Sequence, residues 1–169
     1  MDNQRSEQTL LSLAAQVASR MRLRTITMIE SNLIRNPLDD GGEGSLTCTH
    51  GYKAEHKYNE SDKTLVAHVS FMASGGRADV EDDELFKVEA AFVASYAFSD
   101  DEPIAPEAVD AFAKLNGVFN CWPFWREYLQ SSTVRMGLPP LTLPLITAAS
   151  IDESFRKQRD EAETVTKGE

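Results

Sequence analysis

The sequence of 169 residues lacks several ingredients that common functional classes need. It has only two cysteines, Cys48 and Cys121, too few for a disulfide framework or a cysteine zinc site. No stretch approaches the ~20 apolar residues of a membrane-spanning helix. Basic residues are scarce, since 17 Lys and Arg stand against 27 Asp and Glu, a formal charge of −10. Nucleic-acid phosphates and anionic membranes repel such a chain, so neither is an expected partner.

The short apolar segment Leu10–Ala18 superficially resembles a secretory signal. The residues before it carry two acids and one base, however, whereas a signal needs a positively charged start. Its apolar residues recur at helical spacing, which predicts an amphipathic helix capped by Ser6 and running to about Arg20. We therefore expect a cytoplasmic protein.

The remaining composition is that of an ordinary globular protein, with 41% apolar and 26% charged residues. A chain of this length forms one domain, and we assign residues 1–169 to it. Residues 1–6 and about 160–169 are expected to be flexible.

Alternating apolar and polar residues predict four strands, at 23–35, 46–58, 64–73 and 85–98. Short polar links between them predict an antiparallel meander with helices on one face, an α+β fold. The spacing then becomes helical, with Pro123 expected to start or kink the second helix. We predict helices at 106–116, at 118–136 and, capped by Ser150, at about 151–163, with an extended proline-rich segment at 138–145.

The sequence does not place potential catalytic residues close together on any predicted element. His50 and His56 share one face of the second strand but lie about 20 Å apart, and His68 falls on the other face, so we expect no metal site. Cys121 lies among apolar aromatic residues, which raise a thiol pKa rather than activate the thiol. Paired carboxylates and a phosphate-binding glycine loop are also missing, which argues against an enzyme and against a cofactor.

Five aromatic residues crowd into ten positions of the predicted second helix. They are Phe119, Trp122, Phe124, Trp125 and Tyr128. The simpler interpretation is the core between this helix and the sheet. The alternative is that part of this surface forms a subunit interface, because a surface helix buries only one stripe.

Negative charge is concentrated between Asp79 and Glu107, where ten acids stand against the single base Lys87. The simpler interpretation is a solvated loop, and the alternative is a docking face for a basic partner. Glu89 is informative because it lies within a predicted strand and faces away from the apolar side.

The segment WPFWREYLQSSTVRMGLPPLTLPLI resembles the signature region of the SecB export chaperones. The matching positions are Pro123, Phe124, Arg126, Glu127, Arg135, Pro139, Leu141 and Leu143. The strand FKVEAAFVASYAF is similar to the last strand of that family, and Glu89 falls on the acid that the family uses to dock its motor partner SecA. The resemblance covers about residues 20–157.

A closer likeness is to the SecB-like chaperones that accompany toxin–antitoxin pairs. It rests on the amino-terminal helix, on the acidic SDDE before PEAVDAFAKLNG, and on REYL followed by LPPLTL. The resemblance implies a holdase that binds unfolded chains without ATP, either for export or for a dedicated antitoxin client. An adaptor that binds one folded protein is the alternative.

The resemblance also implies a homotetramer built as a dimer of dimers, with long helices between two sheets. By analogy, the client-binding residues are Pro37, Leu38, Leu138, Leu141, Leu143, Ile151 and Phe155. The implied oligomer-interface residues are Phe119, Trp122, Trp125, Arg126 and Leu129.

Overall fold

The computed structural model describes residues 9–37, 46–78, 84–100 and 102–166, which contain three helices and four strands. In chain order these are α1 (Leu10–Ala18), β1 (Met21–Arg35), β2 (Leu46–Asn59), β3 (Thr64–Arg77), β4 (Phe86–Phe98), α2 (Pro106–Arg135) and α3 (Ala148–Thr166). The predicted α+β class and the predicted strands are confirmed. None of the described helices is long and apolar enough to cross a membrane.

The strand order in the single antiparallel sheet is β1-β4-β3-β2. The three later strands form the predicted meander, but β1 pairs with β4 rather than with β2. The prediction of four consecutive neighbours is therefore wrong for β1, because alternation shows which residues face the core and not which strands are neighbours. Both β1 and β2 are edge strands.

One side of the sheet packs against α2 and is called the helix side; the other is the open side. Buried residues alternate along β3 and β4, so that Leu65, Val69, Phe71, Phe92 and Tyr96 all point to the helix side. Helix α2 lies across β2, β3 and β4 and barely reaches β1. The core therefore ends before the β1 edge.

Helix α2 is a single helix of 30 residues, and the predicted interruption at Pro123 does not occur. Pro123 is exposed, so its ring and the freed carbonyl of Phe119 lie on the solvent side, where water supplies the lost hydrogen bond. The helix ends at Arg135, and Gly137 just after it has a φ of 73°, which suits a glycine that follows a helix C-terminus.

The caps of the two shorter helices differ from those predicted. Thr9 caps α1 by accepting from the Ser12 amide at 3.2 Å, while Ser6 lies outside the described residues. Helix α3 begins before Ser150, because Thr147 and Ser150 each accept the other's amide at 3.1 Å. The tail expected to be flexible from about residue 160 is helical to Thr166, while residues 1–6 and 167–169 are not described.

Candidate functional site

Residues 138–146, called the strap, form neither helix nor strand and pass over α2. Trp122 Nε1 donates to the Pro144 carbonyl at 3.0 Å, and Arg126 Nε donates to the Leu143 carbonyl at 2.8 Å. Thr133 Oγ1 accepts the Leu141 amide at 3.1 Å. Prolines at 139, 140 and 144 disfavour a helix in the strap. The three bonds from α2 hold it in place instead.

A cluster of rings lies beside the strap on the helix side of β2. Tyr52 meets Phe155 of α3 edge-on at 5.8 Å between ring centroids, and it meets Trp122 at 6.3 Å. His50 lies 5.8 Å from the same indole and is exposed. Tyr52 and Phe155 are half-buried, and burial raises the pKa of the Tyr52 phenol. These rings, called the β2 aromatic cluster, form an apolar wall that is open to solvent along β2.

The structure separates the predicted client-binding residues into two groups. Leu141, Phe155 and Pro37 are at least partly exposed, so a client can reach them. Three others are buried in the protomer, and their contact with a client stays a prediction, namely Leu138, Leu143 and Ile151. They fill space between the strap, α3 and α2, which the alternation of leucine and proline alone does not reveal. Leu38 lies outside the described residues.

One exposed residue of the strap was missed by the sequence reasoning. Leu145 is 80% exposed, more than any other large apolar residue that is exposed in the described ranges. It shares the odd-numbered spacing of Leu141 and Leu143, but Pro144 intervenes and the spacing does not set its direction. Together with Leu141 and the β2 aromatic cluster, it makes this end of the molecule a candidate peptide-binding surface.

The predicted oligomer interface is mostly part of the protomer's own core. Trp122, Trp125 and Leu129 are buried within the protomer, with Trp125 stacked on Phe71 at 5.4 Å, and their role in an interface stays a prediction. Arg126 is half-buried and bonded to the strap. Phe119 is exposed and stays a candidate.

An apolar surface that the sequence reasoning did not identify lies at the β1 edge. Because α2 leaves this strand largely uncovered, its helix-side residues remain exposed, and two phenylalanine rings of α2 are exposed as well. This β1–α2 surface comprises Leu23, Met28, Leu33, Phe119 and Phe124. Asn120 of the same helix flank donates to the Tyr96 hydroxyl of β4, the neighbour of β1, at 2.9 Å.

Glu89 lies on the open side, as predicted, and its role in docking a partner stays a prediction. Lys87 Nζ at 2.9 Å and Asn32 Nδ2 at 3.2 Å lower the pKa of its carboxyl. Acids do not outnumber bases on this side, which also carries Glu30, Glu55, Arg22, Lys53 and Lys57. Much of the acidic stretch, at Asp79, Glu81, Asp82, Asp83 and Asp101, lies outside the described residues.

The cysteines and histidines are placed as the sequence predicted. Burial raises the pKa of the Cys121 thiol to about 12 and also raises that of Cys48, so neither is an activated nucleophile. His50 and His56 lie on the helix side of β2, and His68 lies on the open side. Within the ranges that the structure describes, no three metal-ligating side chains converge.

No family model and no curated protein sequence matches this chain. A solved structure does match, that of a Mycobacterium tuberculosis SecB-like chaperone in complex with a ChAD peptide from the HigA1 antitoxin. The two chains are 23% identical with a TM-score of 0.71, over 81% of this chain and 98% of the other. A Streptococcus agalactiae protein of unknown function is 10% identical over 74% of this chain, with a TM-score of 0.43.

Proposed function

We propose that this chain, which has the SecB-like fold, is an ATP-independent chaperone that holds unfolded polypeptides and prevents their folding or aggregation. The observation that carries the proposal is the shared fold with a SecB-like chaperone that was solved with a peptide bound. The activity is binding rather than catalysis, and it needs no cofactor.

The proposed client surface combines the exposed part of the strap with the β2 aromatic cluster. Leu141, Leu145, Tyr52 and Phe155 offer apolar contacts without sequence-specific hydrogen bonds. Each such contact is weak, but several segments of one unfolded chain bound together reinforce each other. Pro37 is included because Arg35, two residues before it, donates from Nε to the Met136 carbonyl at 3.4 Å, near the start of the strap.

We propose a dedicated client of the antitoxin kind in preference to export through SecA. The peptide in the similar structure comes from an antitoxin. Delivery to SecA would use Glu89, yet Lys87 and Asn32 already engage that carboxylate, and the bases around it weaken attraction for a basic partner. Export remains the second candidate, and Glu89→Lys would abolish SecA binding if it operates.

We further propose that the protein acts in the cytoplasm as a homotetramer. Support for self-association comes from the β1–α2 surface, since a monomer rarely exposes so many large apolar residues together. An edge strand that is exposed and apolar also needs a partner to escape aggregation.

The test is light scattering by a chemically denatured, slow-folding client diluted into buffer without ATP. We expect suppression near one tetramer per client. Leu145→Asp should raise the chaperone concentration needed for suppression about tenfold at unchanged Tm. Leu11→Asp, an equal change at an exposed residue of α1, should not. Failure of the wild type with several clients would overturn the holdase proposal and favour the adaptor, which would retain one folded partner in a pull-down.

A further inference from the structure

The outer edge of β2 presents a row of backbone groups with which none of the described strands pairs. Gln158 Nε2 of α3 lies 3.5 Å from the Tyr52 carbonyl, which therefore points away from β3. Because both backbone groups of a residue point to one side of a strand and alternate along it, His50, Ala54 and His56 also present theirs outward. The contact from Gln158 is long, so a backbone amide can displace it.

The side chains of these same residues lie on the helix side. An added fifth strand would place alternate side chains on that side too, beside Tyr52 and Phe155 of the β2 aromatic cluster. Apolar residues suit those positions, because the ring faces there are half-buried and remain open to solvent along β2.

The intervening residues of β2 point to the open side and carry net positive charge. Lys53 and Lys57 are exposed, and within the part of the chain that the structure describes neither ammonium has an ion-pair partner. Glu55 between them is the single acid of the strand. In a chain with a formal charge of −10, this edge is locally basic.

From these two faces we infer that β2 accepts an extended client segment as a fifth strand, and that the preferred segment alternates apolar and acidic residues. The inference rests on the proposed client-binding function and specifies its sequence class. Hydrogen bonds between the two backbones provide affinity whatever the client sequence is. The alternation of apolar and acidic side chains determines which client segments bind best. Charge attraction acts at short range, so the overall negative charge opposes it little at physiological salt.

Three nine-residue peptides with a fluorescent label test the charge preference by anisotropy. They alternate Leu with Glu, with Gln or with Lys. We expect the Leu/Glu peptide to bind about tenfold more tightly than the Leu/Lys peptide, with the difference shrinking in 1 M salt. Equal Kd values for all three would overturn the proposed preference.

Charge reversal on the protein provides the complementary test. Lys53→Glu with Lys57→Glu should invert the order of the peptides. Arg22→Glu with Arg24→Glu makes the same change of total charge on β1, the opposite edge, and should preserve the order. Size-exclusion chromatography first confirms that each variant keeps the wild-type size. An inversion by both pairs would show that overall charge, and not β2, selects the client.

Methylation of backbone nitrogens tests strand addition itself. Methylating alternate residues of one register removes the amides that pair with β2, while methylating the other register leaves them intact. One of the two methylated Leu/Glu peptides should bind at least tenfold more weakly than the other. Equal affinity of the two would overturn strand addition. If the protein suppresses aggregation but shows no charge preference and no effect of methylation register, the chaperone proposal stands and this inference fails. If it also fails to suppress aggregation, both proposals fail.

Discussion

At the scale of single residues, one ion pair ties the start of the sheet to the turn after β4. Arg20 Nε donates to both carboxylate oxygens of Asp100 at 2.9 and 3.0 Å, and the Ser99 amide donates to the Arg20 carbonyl at 2.9 Å. The Arg20 guanidinium holds the pKa of the Asp100 carboxyl below its usual value. The pair therefore stabilises the fold only while Asp100 is ionised.

We predict that Asp100→Asn lowers Tm by a few degrees at pH 7. A depressed pKa in the folded state means that the stabilisation is complete above the usual aspartate pKa of ~3.9 and disappears as pH falls through the folded value. Thermal melts from pH 7 to pH 2 should show the Tm difference closing below pH 4. Glu102→Gln is the control, because the hydrogen bond from Arg20 to Glu102 goes to the backbone carbonyl and survives this change. A difference that persists at pH 2 would contradict this role.

At the scale of elements, the fit of α2 on the sheet depends on a glycine. A Cβ at Gly117 would lie 3.0 Å from Ala67 Cβ and 3.3 Å from Val69 Cγ2. The helix therefore approaches β3 more closely than a larger residue would allow. We predict that Gly117→Val lowers the free energy of unfolding by about 2 kcal/mol through overpacking.

Urea unfolding measures this change, with Gly51→Val as the matched control. A Cβ at Gly51 would meet nothing within 4 Å, and valine suits a strand, so we expect a change within about 0.5 kcal/mol. Equal destabilisation by both variants would mean that the close approach at Gly117 is not the cause.

The sequence predicted the individual strands and helices better than it predicted how they pair and pack. Local alternation placed Tyr52 and Phe71 on the correct face, because that pattern depends only on neighbouring residues. Pro123 misled the helix prediction, since the local rule for proline ignores the packing of Trp122 and Trp125 around it. The burial of Leu143 and Ile151 also depends on distant residues, which a linear pattern does not contain.

At the scale of the whole molecule, the uncovered β1–α2 surface governs the assembly that we propose. We predict that Leu33→Asp combined with Phe124→Asp converts the oligomer to folded monomers, because two charges would then be buried at each copy of the interface. Analytical ultracentrifugation measures the mass, and far-UV circular dichroism confirms folding.

The control for this prediction is Leu145→Asp combined with Leu11→Asp. Both residues are exposed, and neither belongs to the β1–α2 surface. This variant should keep the wild-type mass. Monomers from the control pair, or an intact oligomer from the Leu33 and Phe124 pair, would place the interface elsewhere. This surface is exposed because β1 lies where α2 does not cover it. That arrangement depends on tertiary packing, so the sequence did not reveal it.

The strand order also has a consequence for synthesis on the ribosome. Strand β1 is translated first, yet its partner β4 follows only after residue 85. At roughly 5–20 residues per second, the nascent β1 stays unpaired for several seconds. During that time its apolar side chains are available to any protein that captures unfolded chains, including finished copies of this one. Site-specific crosslinking of a ribosome-arrested chain ending before β4 would detect such self-capture.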